Sequence, residues 1–241
     1  MERKRMLVVS AHAADYVWRA GGTIASYIEG GAEVHVVILS YGVRGESNDL
    51  WKGEGQTAEN VKAIRKGETL AAAEILGIKN IEFWDFEDYP MELNRERLDR
   101  LTVKIRQFRP DVVVTHGWTD AFNPDHEGVA DYVFQACVMS NSAGAQYDGL
   151  KVTKQMAIFG FEPHQPEISD FKPGTIIDIS STFEKKKAAM ACFKAQKHLI
   201  EYYTMRGIMR GNHARRISGN QEYVAAECFS NFFPTVRGEF V

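Results

Sequence analysis

Three runs in this chain are almost unbroken in Val, Ile and Leu: "RMLVVSA" at 5–11, "EVHVVILS" at 33–40 and "DVVVTHG" at 111–117. A strand that reads this way, instead of alternating apolar with polar, is buried on both faces. Such strands belong to parallel sheets covered by helices on either side. Three further β-rich runs follow the same rule less strictly: "NIEFWDF" (80–86), "QMAIFGF" (155–161) and "TIIDIS" (175–180). Between the runs lie amphipathic segments, predicted as helices over about 16–30, 59–77, 94–108 and 126–141. The second stops at Gly77 and the third just before Pro110, residues that end helices for opposite reasons, conformational freedom and ring geometry. The βαβα rhythm predicts a Rossmann-like, doubly wound, mostly parallel α/β sheet with right-handed crossovers. The last third is more helical ("STFEKKKAAMACFKAQ", "IEYYTMRGIMRGNHARR"). No repeat, low-complexity tract or linker interrupts the chain, so residues 1–241 are read as one domain.

With 29 Lys and Arg against 32 Asp and Glu, interspersed, the formal charge is −3. That balance offers neither a nucleic-acid footprint nor a polybasic membrane face. No run reaches the ~18 apolar residues that would span a bilayer. The N-terminal apolar stretch is interrupted by His12 and stopped by Asp15, unlike a signal peptide. Cys137, Cys192 and Cys228 sit in apolar settings without paired spacing and are expected to be buried free thiols, as suits a cytoplasmic protein.

In a doubly wound sheet, ligands sit beyond the carboxyl ends of the strands, where the strand order reverses. With the common order 3-2-1-4-5, the first and fourth strands meet there. "SAHAAD" follows the first and "GWTDAFNPDHEG" the fourth, so His12 and Asp15 converge with His126 although over a hundred residues separate them. Two imidazoles and a carboxylate form a three-ligand metal site with an open fourth position, suited to Zn²⁺ though other divalent metals accept the same donors. Asp125 is placed to orient a ligand imidazole. His116, at the end of the fourth strand, is open between an outer-sphere role, a substrate contact and polar packing.

The ordered set "VVSAHAAD", "GGTIA", "GAEVHVVILSYGVRGES", "IRKGETLAAAEILGI", "DVVVTH…NPDHEGV" and "AAECF" resembles the landmarks of the LmbE-like (PIG-L) zinc-dependent deacetylases over roughly 6–130 and a patch at 226–229. The resemblance implies His12, Asp15 and His126 as zinc ligands. Two positions depart from the deacetylase pattern. The general-base aspartate is Ala14, and the leading histidine of the second motif, an oxyanion donor, is Asn123. A deacetylase lacking the base would lose a factor of ~10²–10⁴.

Within that superfamily, "SYGVRGESNDLWK", "TDAFNPDHEG" and especially "FGFEPHQPE" resemble the 4-oxalomesaconate hydratase branch of gallate and protocatechuate catabolism. That resemblance implies a metal-dependent hydro-lyase adding water across the C=C of an unsaturated tricarboxylate. Glu46 and His164 would be the acid/base pair, in an order the residues leave open. Glu162 is expected to face the same crevice. A polyanionic substrate calls for cations, for which Arg44, Arg206, Arg210 and His213 are the expected clamp, since arginine's fork matches carboxylates. Two other readings stand beside this one: an N-deacetylase using Glu46 as a displaced base, and a metal- or ligand-binding protein without catalysis. Arg65 and Glu68 read as a structural helix pair, and the glycines of "RAGGTIA" as close helix packing. The aromatic tail "CFSNFFPTVRGEF" exposes several Phe unless the fold buries it, and on that ground a homo-oligomeric interface is expected.

Overall fold

The fold follows from a computed structural model that describes residues 4–236 and residue 238. Among the described residues seven strands form one sheet: β1 (Arg5–Ser10), β2 (Glu33–Ile38), β3 (Asn80–Phe83), β4 (Val112–Thr115), β5 (Ala157–Phe161), β6 (Thr175–Asp178) and β7 (Ala226–Asn231). The order is β3-β2-β1-β4-β5-β7-β6. The first five are parallel, as the continuous apolar runs predict, and β1 lies between β2 and β4 with Val8 opposite both Val36 and Val114. Helices α1 (Asp15–Glu29), α3 (Ala58–Leu76), α4 (Arg95–Phe108) and α5 (Pro124–Asn141) are the crossovers. A short α2 (Asn48–Trp51), α6 (Phe183–Met190), a 3₁₀ turn (Lys194–Gln196) and α7 (Leu199–Ser218) complete the chain.

Alternate residues of each central strand serve opposite cores. Met6 and Val8, with Val34 and Val36, pack under α1 and α3; Leu7 and Val9, with Val37 and Leu39, pack against Leu101 and Ile105 of α4 and Val129 and Val133 of α5. Both faces of the sheet are thus covered, which the unbroken apolar runs require. Gly22 lets α1 close on the sheet: a Cβ there would fall 2.6 Å from the Ile179 side chain.

The sheet is mostly parallel, as expected; its antiparallel part comes from β7, which the alternating "AECFSN" did not announce and which inserts between β5 and β6. Two expectations need correction. Cys192 is only half-buried, two residues beyond the end of α6, while Cys137 and Cys228 are buried. The aromatic tail is largely taken up internally. Phe229 is buried in β7, and Phe232 stacks with Trp118, ring centroids 4.4 Å apart. Phe233 stays exposed, and Phe240 lies outside the described residues. No described helix is long and apolar enough to cross a membrane.

Candidate active site

At the end of β1 the chain turns sharply into α1. Ser10 Oγ donates to the His12 carbonyl (2.8 Å) and accepts from Tyr16 N–H, while His12 N–H donates to Asp15 Oδ2 (2.8 Å). This turn places both candidate ligand side chains, His12 and Asp15, at the carboxyl edge. The parallel pairing carries on past the strands, with Ser40 N–H donating to the Ala11 carbonyl, so the loop after β2 begins beside His12. Gly42 makes the approach possible. Its φ is +69°, and a Cβ would fall 3.3 Å from that of His12 and 3.1 Å from that of Glu46. From the fourth strand, α5 brings His126 in its first turn, after Asn123 at the N-cap and Pro124.

His12 Nδ1 and His126 Nε2 come within 3.1 Å of each other, and each lies 3.4 Å from Asp15 Oδ2. The outward nitrogens meet carboxylates: His12 Nε2 faces Asp125 Oδ2 at 3.3 Å, and His126 Nδ1 faces Asp120 Oδ2 at 2.9 Å. Those carboxylates accept, and Asp120 at 2.9 Å lies closer to His126 Nδ1 than the Arg19 Nη2 donor at 3.3 Å, so they hold the ring protons outside and turn two lone pairs inward beside Asp15. Two lone pairs so close need a positive charge between them. Burial opposes charging His12, yet Glu46, Asp125 and Asp15 outweigh it and raise the ring to about 10. The donor set therefore fits a divalent cation, which would supply that charge in place of a proton. Asp125 is itself held by the Tyr89 and Met91 N–H groups (3.0 and 2.8 Å). Tyr89 adopts φ 53° to present its N–H there.

Glu46 enters the same cluster. All four donor atoms of His12, Asp15, Glu46 and His126 lie within 4.8 Å of one another. Its Oε1 is 3.5 Å from His12 Nδ1 and accepts from Asn123 Nδ2 at 3.2 Å; its Oε2 accepts from Gln196 Nε2 at 3.1 Å. A cavity of about 200 Å³ opens over the cluster, with Asp15, Glu46, Asn123 and His126 on its floor and Tyr89, Phe122, His164, His198 and Tyr203 among its walls. His164, following β5, lies 3.4 Å (Nδ1) from the Tyr203 hydroxyl. Burial, with the Arg19 and Arg206 guanidiniums nearby, pushes its ring down to about 4. His116 does not reach the cavity. It stacks behind His126 with centroids 4.0 Å apart, and its Nε2 accepts from Ala11 N–H.

The expected arginine clamp is elsewhere. Arg210 is bidentate to Glu162 (Nε to both oxygens, 3.0 and 3.1 Å), so neither faces the cavity. Arg206 Nη1 donates to the Pro163 carbonyl at 2.7 Å and its plane lies over Tyr202 and Tyr203. Both guanidiniums hold the segment that carries His164, instead of meeting a ligand. His213 is exposed on α7 beside Arg210. Arg44 points out to Glu87, while its N–H bonds Asp88. Their charges are spent on nearby carboxylates and carbonyls, a pairing that charge content along the sequence does not disclose.

The cation at the cavity wall is Arg19, one helical turn after Asp15. It donates to Asp120 (3.0 Å), and its buried Nε lacks a hydrogen-bond partner among the described residues. Asp120, Arg19, Gln196 and Tyr89 escaped the sequence reading. A signal existed for the first two: a ligand histidine needs a carboxylate behind it, which the Asp120–His126 spacing within one loop supplies, and an arginine four after a ligand aspartate shares its helix face. Nothing local marks Gln196 or Tyr89.

Residues 7–137 match the family model described as PIG-L: GlcNAc-PI de-N-acetylase. Over 97% of this chain and 91% of that protein, the sequence is 42% identical to a 4-oxalmesaconate hydratase of Pseudomonas putida KT2440. The crystal structure of GalB, the 4-carboxy-2-hydroxymuconate hydratase of the same organism, superposes with a TM-score of 0.95 at 41% identity, covering 99% of this chain and 100% of that one. The N,N′-diacetylchitobiose deacetylase of Pyrococcus horikoshii shares the fold, with a TM-score of 0.79 at 23% identity over 96% of this chain and 84% of that one.

Proposed function

The chain belongs to the PIG-L (GlcNAc-PI de-N-acetylase) family, and from that premise we propose that it is a metal-dependent hydro-lyase. It would add water across the C=C of 4-oxalomesaconate, or of its enol tautomer 4-carboxy-2-hydroxymuconate, to give 4-carboxy-4-hydroxy-2-oxoadipate. The observation that carries the reading is the 42% identity to a hydratase across nearly the whole chain. The cavity supports it: Glu46 stands beside the triad where Ala14 leaves the usual base missing.

A Zn²⁺ ion held by His12, Asp15 and His126 would supply a Lewis acid and neutralise substrate charge. The chain's own groups handle the protons. Glu46 takes one from the attacking water, whose oxygen bonds the carbon bearing the central carboxylate, and that proton goes on to the other carbon of the former C=C, so that OH and H together make up the added water. Where the substrate enters as its enol tautomer, His164, uncharged at neutral pH, also moves the enol hydroxyl proton to the adjacent carbon to give the ketone. Arg19 attracts a substrate carboxylate from the cavity wall. The N-deacetylase reading keeps a base in Glu46. Against it stand Ala14 and Asn123, where the deacetylase pattern keeps its base and an oxyanion donor, and the 42% identity to a hydratase. A cytoplasmic, homo-oligomeric enzyme acting on a small polycarboxylate, without nucleic-acid or membrane partners, completes the proposal.

The test is direct: zinc-loaded protein is mixed with 4-oxalomesaconate and the ultraviolet absorbance of the conjugated system is followed. Loss of absorbance that disappears with a chelator and in His12→Ala is the expected result. Acetate released from N-acetylated sugars, with no hydration, would overturn the proposal.

A further inference from the structure

Glu46 is held by a chain of hydrogen bonds that starts well away from the cavity. Arg65, fully buried on α3, donates through Nε to the Tyr41 carbonyl (3.3 Å), through Nη1 to Glu68 (3.1 Å) and through Nη2 to Gln196 Oε1 (3.0 Å). Glu68 Oε1 in turn accepts Lys194 N–H at 2.8 Å. The Arg65–Glu68 pair thus clasps the loop carrying Glu46 on one side and the 3₁₀ turn carrying Gln196 on the other. Gln196 has no freedom to flip. Its amide oxygen faces donor-only groups, the Arg65 guanidinium and the Trp18 indole N–H (3.5 Å), so its NH₂ must face Glu46 Oε2.

We propose that Gln196, locked by Arg65, is a positioning residue that draws one carboxylate oxygen of Glu46 away from the metal-ligand triad and leaves the other to act on water. A glutamate this close to three ligands has two options, base or fourth ligand. Asn123 holds Oε1 and Gln196 holds Oε2, so the carboxylate cannot swing both oxygens onto a cation. The inference rests on the reading of Glu46 as the base. The Arg65–Glu68 helix pair thereby also anchors Gln196.

The experiment is a double-mutant cycle between Gln196→Met and Glu46→Ala, with Gln196→Glu as a second variant. Methionine keeps the length but cannot donate; glutamate keeps the Arg65 contact but opposes an acceptor to an acceptor. Each single Gln196 variant is expected to lower kcat about 10- to 100-fold, the scale of a misplaced catalytic group, with KM changed less than about twofold. In the Glu46→Ala background Gln196→Met should add nothing. Zinc affinity, read by competition with a chromogenic chelator, should tighten in Gln196→Met, where the released carboxylate can ligate, and not in the double variant. Unchanged kcat in both Gln196 variants, or the same proportional change with and without Glu46, would overturn the positioning role. Full turnover in Glu46→Ala alone would instead refute the base assignment on which it rests.

Discussion

In the proposed function the base comes from a different element than in the deacetylase pattern. Where the deacetylase pattern keeps a carboxylate on the α1 turn, this chain has a buried methyl group, and a carboxylate arrives from the loop after β2. The residues around the ligands yield two predictions. Asp120→Ala removes the acceptor that holds His126 Nδ1 and should weaken zinc binding about 10- to 100-fold, measured by chelator competition. For His164, the depressed ring means that the neutral form is the working one: it is uncharged at pH 7 and becomes cationic only as pH falls through about 4. Turnover should therefore show no limb from this residue between pH 6 and 8 and should decline towards pH 4. His164→Ala should lower kcat by ~10²–10⁴. A pH-independent activity, or a variant as fast as the parent, would remove His164 from the chemistry.

Strand β7 does the most at the scale of elements, although its sequence announces it least. Glu227, buried between β7 and α1, accepts from Gly22 N–H (3.1 Å) and Thr23 N–H (2.8 Å) and pairs with buried Lys186 of α6 at 2.6 Å. One carboxylate thus ties the sheet to two helices, which accounts for the "AAECF" landmark without any catalytic part. Glu227→Ala leaves the Lys186 ammonium buried and unpaired and should cost about 3–5 kcal/mol, read as a lower midpoint in denaturant. A loss under 1 kcal/mol would mean that Lys186 finds water when the carboxylate goes. The helices and parallel strands were legible because a helix or strand period repeats every few residues. β7 was not, because six residues of mixed polarity acquire a strand only from the two neighbours they bridge.

At the scale of the whole molecule, His12 and His126 lie 114 residues apart and meet only because β1 and β4 are adjacent in the sheet. Self-association is expected through the aromatic cluster of Trp118, Phe134 and Phe233, of which Trp118 and Phe233 remain exposed. Light scattering should give a mass above the 27.2 kDa of one chain, and Trp118→Glu should lower it. A mass of one chain throughout would reject the interface. The sequence alone determined the α/β class and marked the carboxyl edge of the sheet as the place where His12, Asp15 and His126 are expected to gather, because hydrophobic period and strand-end position are local properties. The tertiary structure decided the rest. It spent Arg206 and Arg210 on Glu162 and the His164 segment and put Asp120 behind His126. It also joined Arg65 through Gln196 to Glu46. A buried polar group must find its partner wherever the fold brings one, and that partner is seldom a neighbour in sequence.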